Sequence, residues 1–241
     1  MNLPILFDLH THSISSGHGS NDTVTSMVKA ASDIGLKALG ISDHGPATPG
    51  SATASYFRNL SLSCHNRFDI CLLYGVELNI LNSNGDIDLS HEILSGLDYA
   101  FISFHPPTCK PMSMEENTLG YINAMSHPNV RFIGHMDDGR YPVDFEQVLE
   151  TARLKGIFPE INNISLASDS YRTNGCENST KILSICKKLN LPVLLSSDSH
   201  GKSKIGNFQN IFPVLKATDF PQQLILNYQT DFLNKLYHKV F

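Results

Sequence analysis

Eleven histidines stand in this 241-residue chain, and seven of them recur in short motifs with two acidic residues. His10 and His12 form a His-x-His pair in Asp8-Leu9-His10-Thr11-His12-Ser13. Side chains two apart on an extended strand point the same way, so the pair can offer two imidazoles to one cation. His44 follows in Ser42-Asp43-His44-Gly45, Glu77 in Gly75-Val76-Glu77-Leu78-Asn79, His105 in Ser103-Phe104-His105-Pro106 and His135 in Ile133-Gly134-His135. Asp198 and His200 complete the series in Ser196-Ser197-Asp198-Ser199-His200-Gly201, and His18 sits in a Gly17-His18-Gly19 loop. Imidazole and carboxylate are ordinary ligands for zinc, manganese and iron. Nine such groups exceed the needs of one ion, so the pattern points to a cluster of cations. His65, His91, His127 and His238 fall in helices or polar loops and read as surface residues.

Groups so far apart in sequence need a scaffold that gathers them. Each motif follows a short apolar run. These runs predict strands at Ile5–Leu9, Ala38–Ser42, Ile70–Leu78, Tyr99–Phe104, Arg131–Gly134, Phe158–Asn162 and Pro192–Ser197. Amphipathic stretches near 23–35, 53–67, 114–126, 144–156 and 176–190 predict helices between them, with a last one over 221–238. Thr23 and Asp144 read as helix starts, and Gly35, Gly156 and Asn190 as stops. Asn84-Gly85 reads as a small hairpin turn. Strand starts recur about every 30 residues, the length of one βα unit. No linker, low-complexity tract or charge block divides the chain, so residues 1–241 are expected to form one domain. Seven βα units suit a closed or nearly closed barrel better than an open flavodoxin-like sheet. In an α/β barrel the carboxyl ends of the strands share one face, where the active site lies. Six of the predicted strands end in a candidate ligand.

Composition narrows the function classes. Charged residues make up 17% of the chain and hydrophobic ones 41%, a globular balance rather than a disordered one. The formal net charge of −5 speaks against an overall basic nucleic-acid binder. Five cysteines without a Cys-x-x-Cys pair are not a disulfide framework and fit a reducing, cytoplasmic setting. No apolar run is long enough to span a bilayer, and Met1 to His10 lacks the features of a signal peptide.

Taken together, DLHTHS, ISDHG, GVELN, FISFHPP, FIGH and SSDSHG resemble the successive metal-binding motifs of the PHP (polymerase and histidinol phosphatase) domain family. The match runs in order from residue 8 to about 201. The Gly17-His18-Gly19 histidine and the Glu160-Ile161-Asn162-Asn163 strand are similar to the stand-alone YcdX-type phosphatase branch. The resemblance implies a distorted (β/α)7 TIM-like barrel and three divalent metal ions, zinc first, with manganese or iron as alternatives. His10, His12, Glu77 and Asp198 would hold the first ion. Glu77, His105 and His135 would hold the second, and His18, His44 and His200 the third. One departure is the loop Met136-Asp137-Asp138-Gly139-Arg140-Tyr141, where that branch has a Pro-Gly-rich turn.

Three divalent ions against Glu77 and Asp198 leave an inner shell of about +4, which favours an anion with several oxygens. The expected chemistry is hydrolysis of small phosphomonoesters by a hydroxide bridging two metals, without a protein nucleophile. Asp8 and Asp43 are the expected partners that orient His10 and His44. Arg140 is expected to hold the substrate phosphate, with Lys202 and Asn162 as further substrate contacts. A small phosphorylated substrate, no membrane and no long nucleic acid follow as the expected partners, with a homo-oligomer open. The competing readings are a phosphodiesterase or nuclease of the same class, an amidohydrolase-like C–N hydrolase and a non-catalytic metal-binding module. No basic track leads to the motifs, as a nuclease on single strands would require. A closed structural zinc site would be richer in cysteine.

Overall fold

The computed structural model of the chain describes residues 4–236. His238 and the end of the expected final helix lie outside them. The strands are β1 (Phe7–Asp8), β2 (Thr11–His12), β3 (Ala38–Ile41), β4 (Asn66–Arg67), β5 (Ile70–Asn79), β6 (Tyr99–Ser103), β7 (Val130–Ile133), β8 (Phe158–Asn162), β9 (Leu194–Ser196) and β10 (Ser199–His200). Seven of these run parallel in the order β1-β3-β5-β6-β7-β8-β9 and form a nearly closed barrel. The short β4 folds back antiparallel onto β5.

Closure between β9 and β1 is made by side chains rather than by a ladder. Asn227, fully buried, donates to the carbonyls of Phe7 and Leu195 and accepts from the Leu195 N–H. Above it, Asp8 accepts from the N–H groups of Ser197 and Gly206. At the rim the strands do pair, β10 against β2, with His200 opposite His12.

Helices α1 (Val24–Asp33), α2 (Ala54–Leu60), α3 (His91–Leu94), α4 (Met114–Ala124), α5 (Phe145–Lys155), α6 (Gly175–Leu189), α7 (Ile211–Ala217) and α8 (Thr230–Leu236) complete the chain. Their ends follow the local chemistry. The Thr23 side chain caps α1, Ser113 and Glu116 form a capping box on α4, and Asp144 caps α5. Gly156 and Asn190 end α5 and α6 in the left-handed conformation. The core has two parts. Aliphatic side chains of the helices pack on the outer face of the barrel, while Phe7, Leu73, Tyr99, Phe101, Phe132 and Leu194 fill its interior. The Tyr99 ring crosses that interior and its hydroxyl donates to the Leu9 carbonyl. Gly40 and Gly75 permit this, since a Cβ at either would lie 2.2 and 2.5 Å from Tyr99 atoms. An aromatic plug thus fills the barrel below its carboxyl end, and the Phe101 ring lies 4.4 Å from the His10 ring.

Three expected elements differ. The stretch 53–67 is helical only to Leu60; its end extends as β4, and Phe68 and Asp69, both at positive φ, turn the chain back into β5. The Asn84-Gly85 turn forms with one bridge, Ile80 to Ile87, instead of a ladder. Most of 221–229 is two 3-10 turns that deliver Asn227 to the seam, and α8 begins only at Thr230.

Candidate metal centre

The strand ends bring the candidate ligands together around Glu77, which is buried near the end of β5. Its Oε2 lies 2.7 Å from His44 Nδ1, 3.4 Å from His10 Nε2 and 3.6 Å from His12 Nε2. Its Oε1 lies 2.8 Å from His135 Nε2 and 3.3 Å from His105 Nε2. Asp198 Oδ1 stands 3.2 Å from His12 Nε2 and 3.8 Å from His10 Nε2. Three groups of ligand atoms converge tightly: His10, His12 and Glu77; His44, Glu77 and His105; and His12, His44 and His200. His44 therefore sits where two groups meet. His18 is exposed on its loop and stacks beside His44, with 4.8 Å between ring centroids.

Hydrogen bonds orient the rings and fix their tautomers. His10 Nδ1–H donates to Glu160 Oε1 at 2.5 Å. The Ser16 hydroxyl donates to Asp43, so its oxygen accepts from His12 Nδ1–H at 3.0 Å. His105 Nδ1–H donates to Asn79 Oδ1 at 2.8 Å, and His200 Nδ1–H to the Asp198 carbonyl at 3.1 Å. In all four Nε2 is left for another partner, and His10 must shed its Nε2 proton before that atom can ligate. A ligating imidazole held through its other nitrogen is the usual arrangement around a metal. His135 and Asp198 both take positive φ, 25° and 51°, although neither is glycine. Strain of this kind costs about 1–3 kcal/mol and clusters at functional sites.

The electrostatics follow from burial against pairing. Burial opposes the charge on His10, but Glu160, Glu77 and Asp198 together hold its imidazolium well above the usual histidine range. His12 is held well below that range by burial and by its neighbours His44 and His200. Burial would raise Glu77, yet the surrounding imidazoles His105, His10 and His44 pull its carboxyl well below the usual range. Burial likewise works against Asp198, and His10 and Arg172 lower it.

The residues fit divalent cations on a direct test. Six buried side-chain atoms among the described residues lack a hydrogen-bond partner, and five of them belong to this cluster: His10 Nε2, His12 Nε2, both nitrogens of His44, and Glu77 Oε2. Unpaired buried polar atoms are costly. Nitrogen and carboxylate oxygen atoms that converge without making hydrogen bonds to one another are what a cation satisfies. Open chemistry beside them is available in a cavity of about 390 Å³ whose wall includes His18, His44, His105, His135, Arg140 and Arg172.

Several expected partners sit elsewhere. Asp8 does not reach the His10 ring. It is used in the β1–β9 seam, where burial pushes its carboxyl up to about 6. Asp43 acts on His12 through Ser16, and also accepts from Ser13 and the Tyr56 hydroxyl, rather than orienting His44. Asn162 is buried and donates to Glu160 and Asp198, so it braces the ligands. Lys202 turns outward to Asp22, 3.4 Å away, and does not line the cavity. Arg140 does line it, with its Nε and one terminal nitrogen held by Asp138. Residues to which the sequence assigned no role also enter. Glu160 accepts from His10, from the His135 N–H at 2.6 Å, from Asn162 and from the Ser196 hydroxyl. Arg172 pairs with Asp198 Oδ2 at 2.8 Å. Glu160 and Asn162 are two apart on β8 and so share a face, a period-two signal that points both at the barrel interior.

A nearly closed parallel barrel with imidazoles and carboxylates converging at its carboxyl rim is the architecture of a metal-binding hydrolase. The family profile described as the PHP domain matches residues 8–239, and the chain belongs to that family. A probable phosphatase of Clostridium acetobutylicum is 41% identical over 222 residues, 92% of this chain and 90% of that protein. A probable phosphatase of Acetivibrio thermocellus is 35% identical over 225 residues, 93% and 92% of the two chains. Among solved structures, the fold is similar to histidinol phosphate phosphatase from Lactococcus lactis, complexed with zinc, L-histidinol and phosphate. That likeness has a TM-score of 0.62 at 17% identity and covers 90% of this chain and 95% of that one. The chain is an enzyme of the phosphatase class.

Proposed function

We propose that this chain is a metal-dependent phosphomonoesterase acting on small phosphorylated alcohols. The observation that carries the reading is the set of unpaired, buried ligand atoms on His10, His12, His44 and Glu77 beside a cavity that also holds two arginines. His10, His12, Glu77 and Asp198 would hold one divalent cation, Glu77, His105 and His135 a second, and His18, His44 and His200 a third. Zinc leads the candidates, and manganese or iron suit the same ligands. Bound cations would supply Lewis acidity and an activated water.

The chain's own residues do the rest. Glu160, Ser16 and Asn79 hold His10, His12 and His105 with Nε2 forward. The free edge of the Arg140 guanidinium is placed to meet phosphoryl oxygens, a geometry that guanidinium matches. The cavity has room for a small ester and lies within the range of small-molecule sites. The ligands of the Lactococcus neighbour, L-histidinol and phosphate, support the same substrate class. Among the described residues no helix is long and apolar enough to cross a membrane.

The test is a panel of phosphomonoesters and phosphodiesters with metal-loaded, full-length protein. Release of phosphate from small monoesters, lost on chelation and restored by metal, is expected. Turnover of diesters alone would move the assignment to a phosphodiesterase, and no turnover of either would overturn it.

A further inference from the structure

Arg172 is an arginine buried against a candidate ligand, in the irregular loop between β8 and α6. One terminal nitrogen lies 2.8 Å from Asp198 Oδ2 and the other donates to the Ser165 hydroxyl at 3.1 Å. Asn162 Nδ2 donates to the same Oδ2 at 3.0 Å. That oxygen is therefore occupied by two donors. Only Oδ1 faces His12 and His10. Ser165 in turn donates to the buried Asp137, which anchors the guanidinium from behind.

We propose that Arg172 is a positioning residue that confines Asp198 to one ligating oxygen and offsets its charge, weakening cation binding and strengthening anion binding at the centre. The argument is electrostatic and geometric. A carboxylate with two free oxygens can chelate a cation, whereas one with Oδ2 held by a guanidinium and an amide offers a single atom. A fixed positive charge against Asp198 also repels every cation in the cluster. The same charge attracts the phosphoryl group that the loaded centre must hold. Interaction between charges a few ångströms apart in a site of effective dielectric near 20 is large enough to shift affinities by about tenfold or more.

The inference rests on the cation-dependent reading above, and the experiment separates the two. Metal-free full-length protein is titrated with zinc against a chelator, and the metal-loaded protein is then titrated with inorganic phosphate. The variants are Arg172→Met, which removes the charge, and Arg172→Lys, which keeps it. Arg172→Met is expected to bind zinc about tenfold more tightly and phosphate about tenfold more weakly than the parent. Arg172→Lys is expected to stay near the parent on both. With Arg172 gone only the Asn162 amide still holds Oδ2, so cobalt-substituted Arg172→Met should show weaker visible absorption as Asp198 swings Oδ2 to the ion and coordination number rises. Should Arg172→Met fail to fold, Arg172→Gln carries the same expectation with a side chain that still fits the polar site. Both affinities falling together would make Arg172 a structural brace and overturn the proposal. Phosphate affinity falling with zinc affinity unchanged would make it a simple anion contact and overturn it as well. A parent protein that takes up no zinc would overturn the cation-dependent reading itself.

Discussion

Glu160→Gln isolates the residue that holds the centre together from below. The Glu160 carboxylate accepts four hydrogen bonds, from His10 Nδ1, the His135 N–H, the Asn162 amide and the Ser196 hydroxyl. Glutamine keeps the shape but has one accepting oxygen, and its NH2 would face donors that already point at it. Whichever way the amide turns, two buried donors lose their acceptor. At about 1–3 kcal/mol for each orphaned group, the fold should lose roughly 2–6 kcal/mol. For a chain of this length that is a fall in Tm on the order of 5–20 °C. One orientation of the amide takes the acceptor from His10 and Ser196, and the other takes it from the His135 N–H and Asn162. Either way one ligand histidine loses a bond that positions it, and partners of this kind are worth about 10- to 100-fold in metal affinity. Differential scanning calorimetry and competitive zinc titration on the same preparation measure both effects. A variant that matches the parent in Tm and in zinc affinity would refute the claim that Glu160 orients the cluster.

Further expectations follow from the same geometry. Glu77 touches five imidazoles through two oxygens, whereas His18 is exposed on a loop, so His18→Ala should lower kcat/KM by about 10- to 100-fold and Glu77→Gln by more; equal losses in steady-state assays would contradict the assignment. Cation uptake should strengthen with rising pH, because the carboxylates around His10 keep it protonated above the usual histidine range and a ligating nitrogen must shed its proton. Titrations between about pH 6 and 8 check this, and a flat affinity would refute it. Asn227→Ala removes the partner of three backbone groups in the β1–β9 seam and should cost about 3 kcal/mol or more in denaturant unfolding; an unchanged midpoint would mean the seam closes without it.

Much of the site was legible because a parallel barrel turns sequence position into spatial position. A ligand at the end of a strand must lie on the rim, so eight of the motif residues could be placed without contacts, and His18 only by its loop. The seven barrel strands were legible for a related reason: residues such as Ile70 to Asn79 are buried throughout, and such strands read as apolar runs. What stayed hidden lies in long-range hydrogen bonding. Asp8 and Asp43 are each next in motif to a histidine, but chain proximity does not fix where a carboxylate is pulled. An unpaired edge between β1 and β9 captures Asp8, and the Ser13–Ser16 turn captures Asp43. Arg172 comes from a loop with no periodic pattern, and its partner is 26 residues away. The 3-10 turns over 222–228 were hidden by amphipathic spacing, although Asn227 is held by the open seam rather than by a helix.

The central claim is that the rim gathers its imidazoles and carboxylates around several cations. Elemental analysis of the full-length protein, purified without chelator and normalised to protein concentration, tests it most directly. The account predicts about two to three equivalents of transition metal per chain, as a multinuclear hydrolytic centre requires, and a sharp drop in Glu77→Gln. One equivalent or none in the parent protein, even after incubation with zinc or manganese, would contradict it.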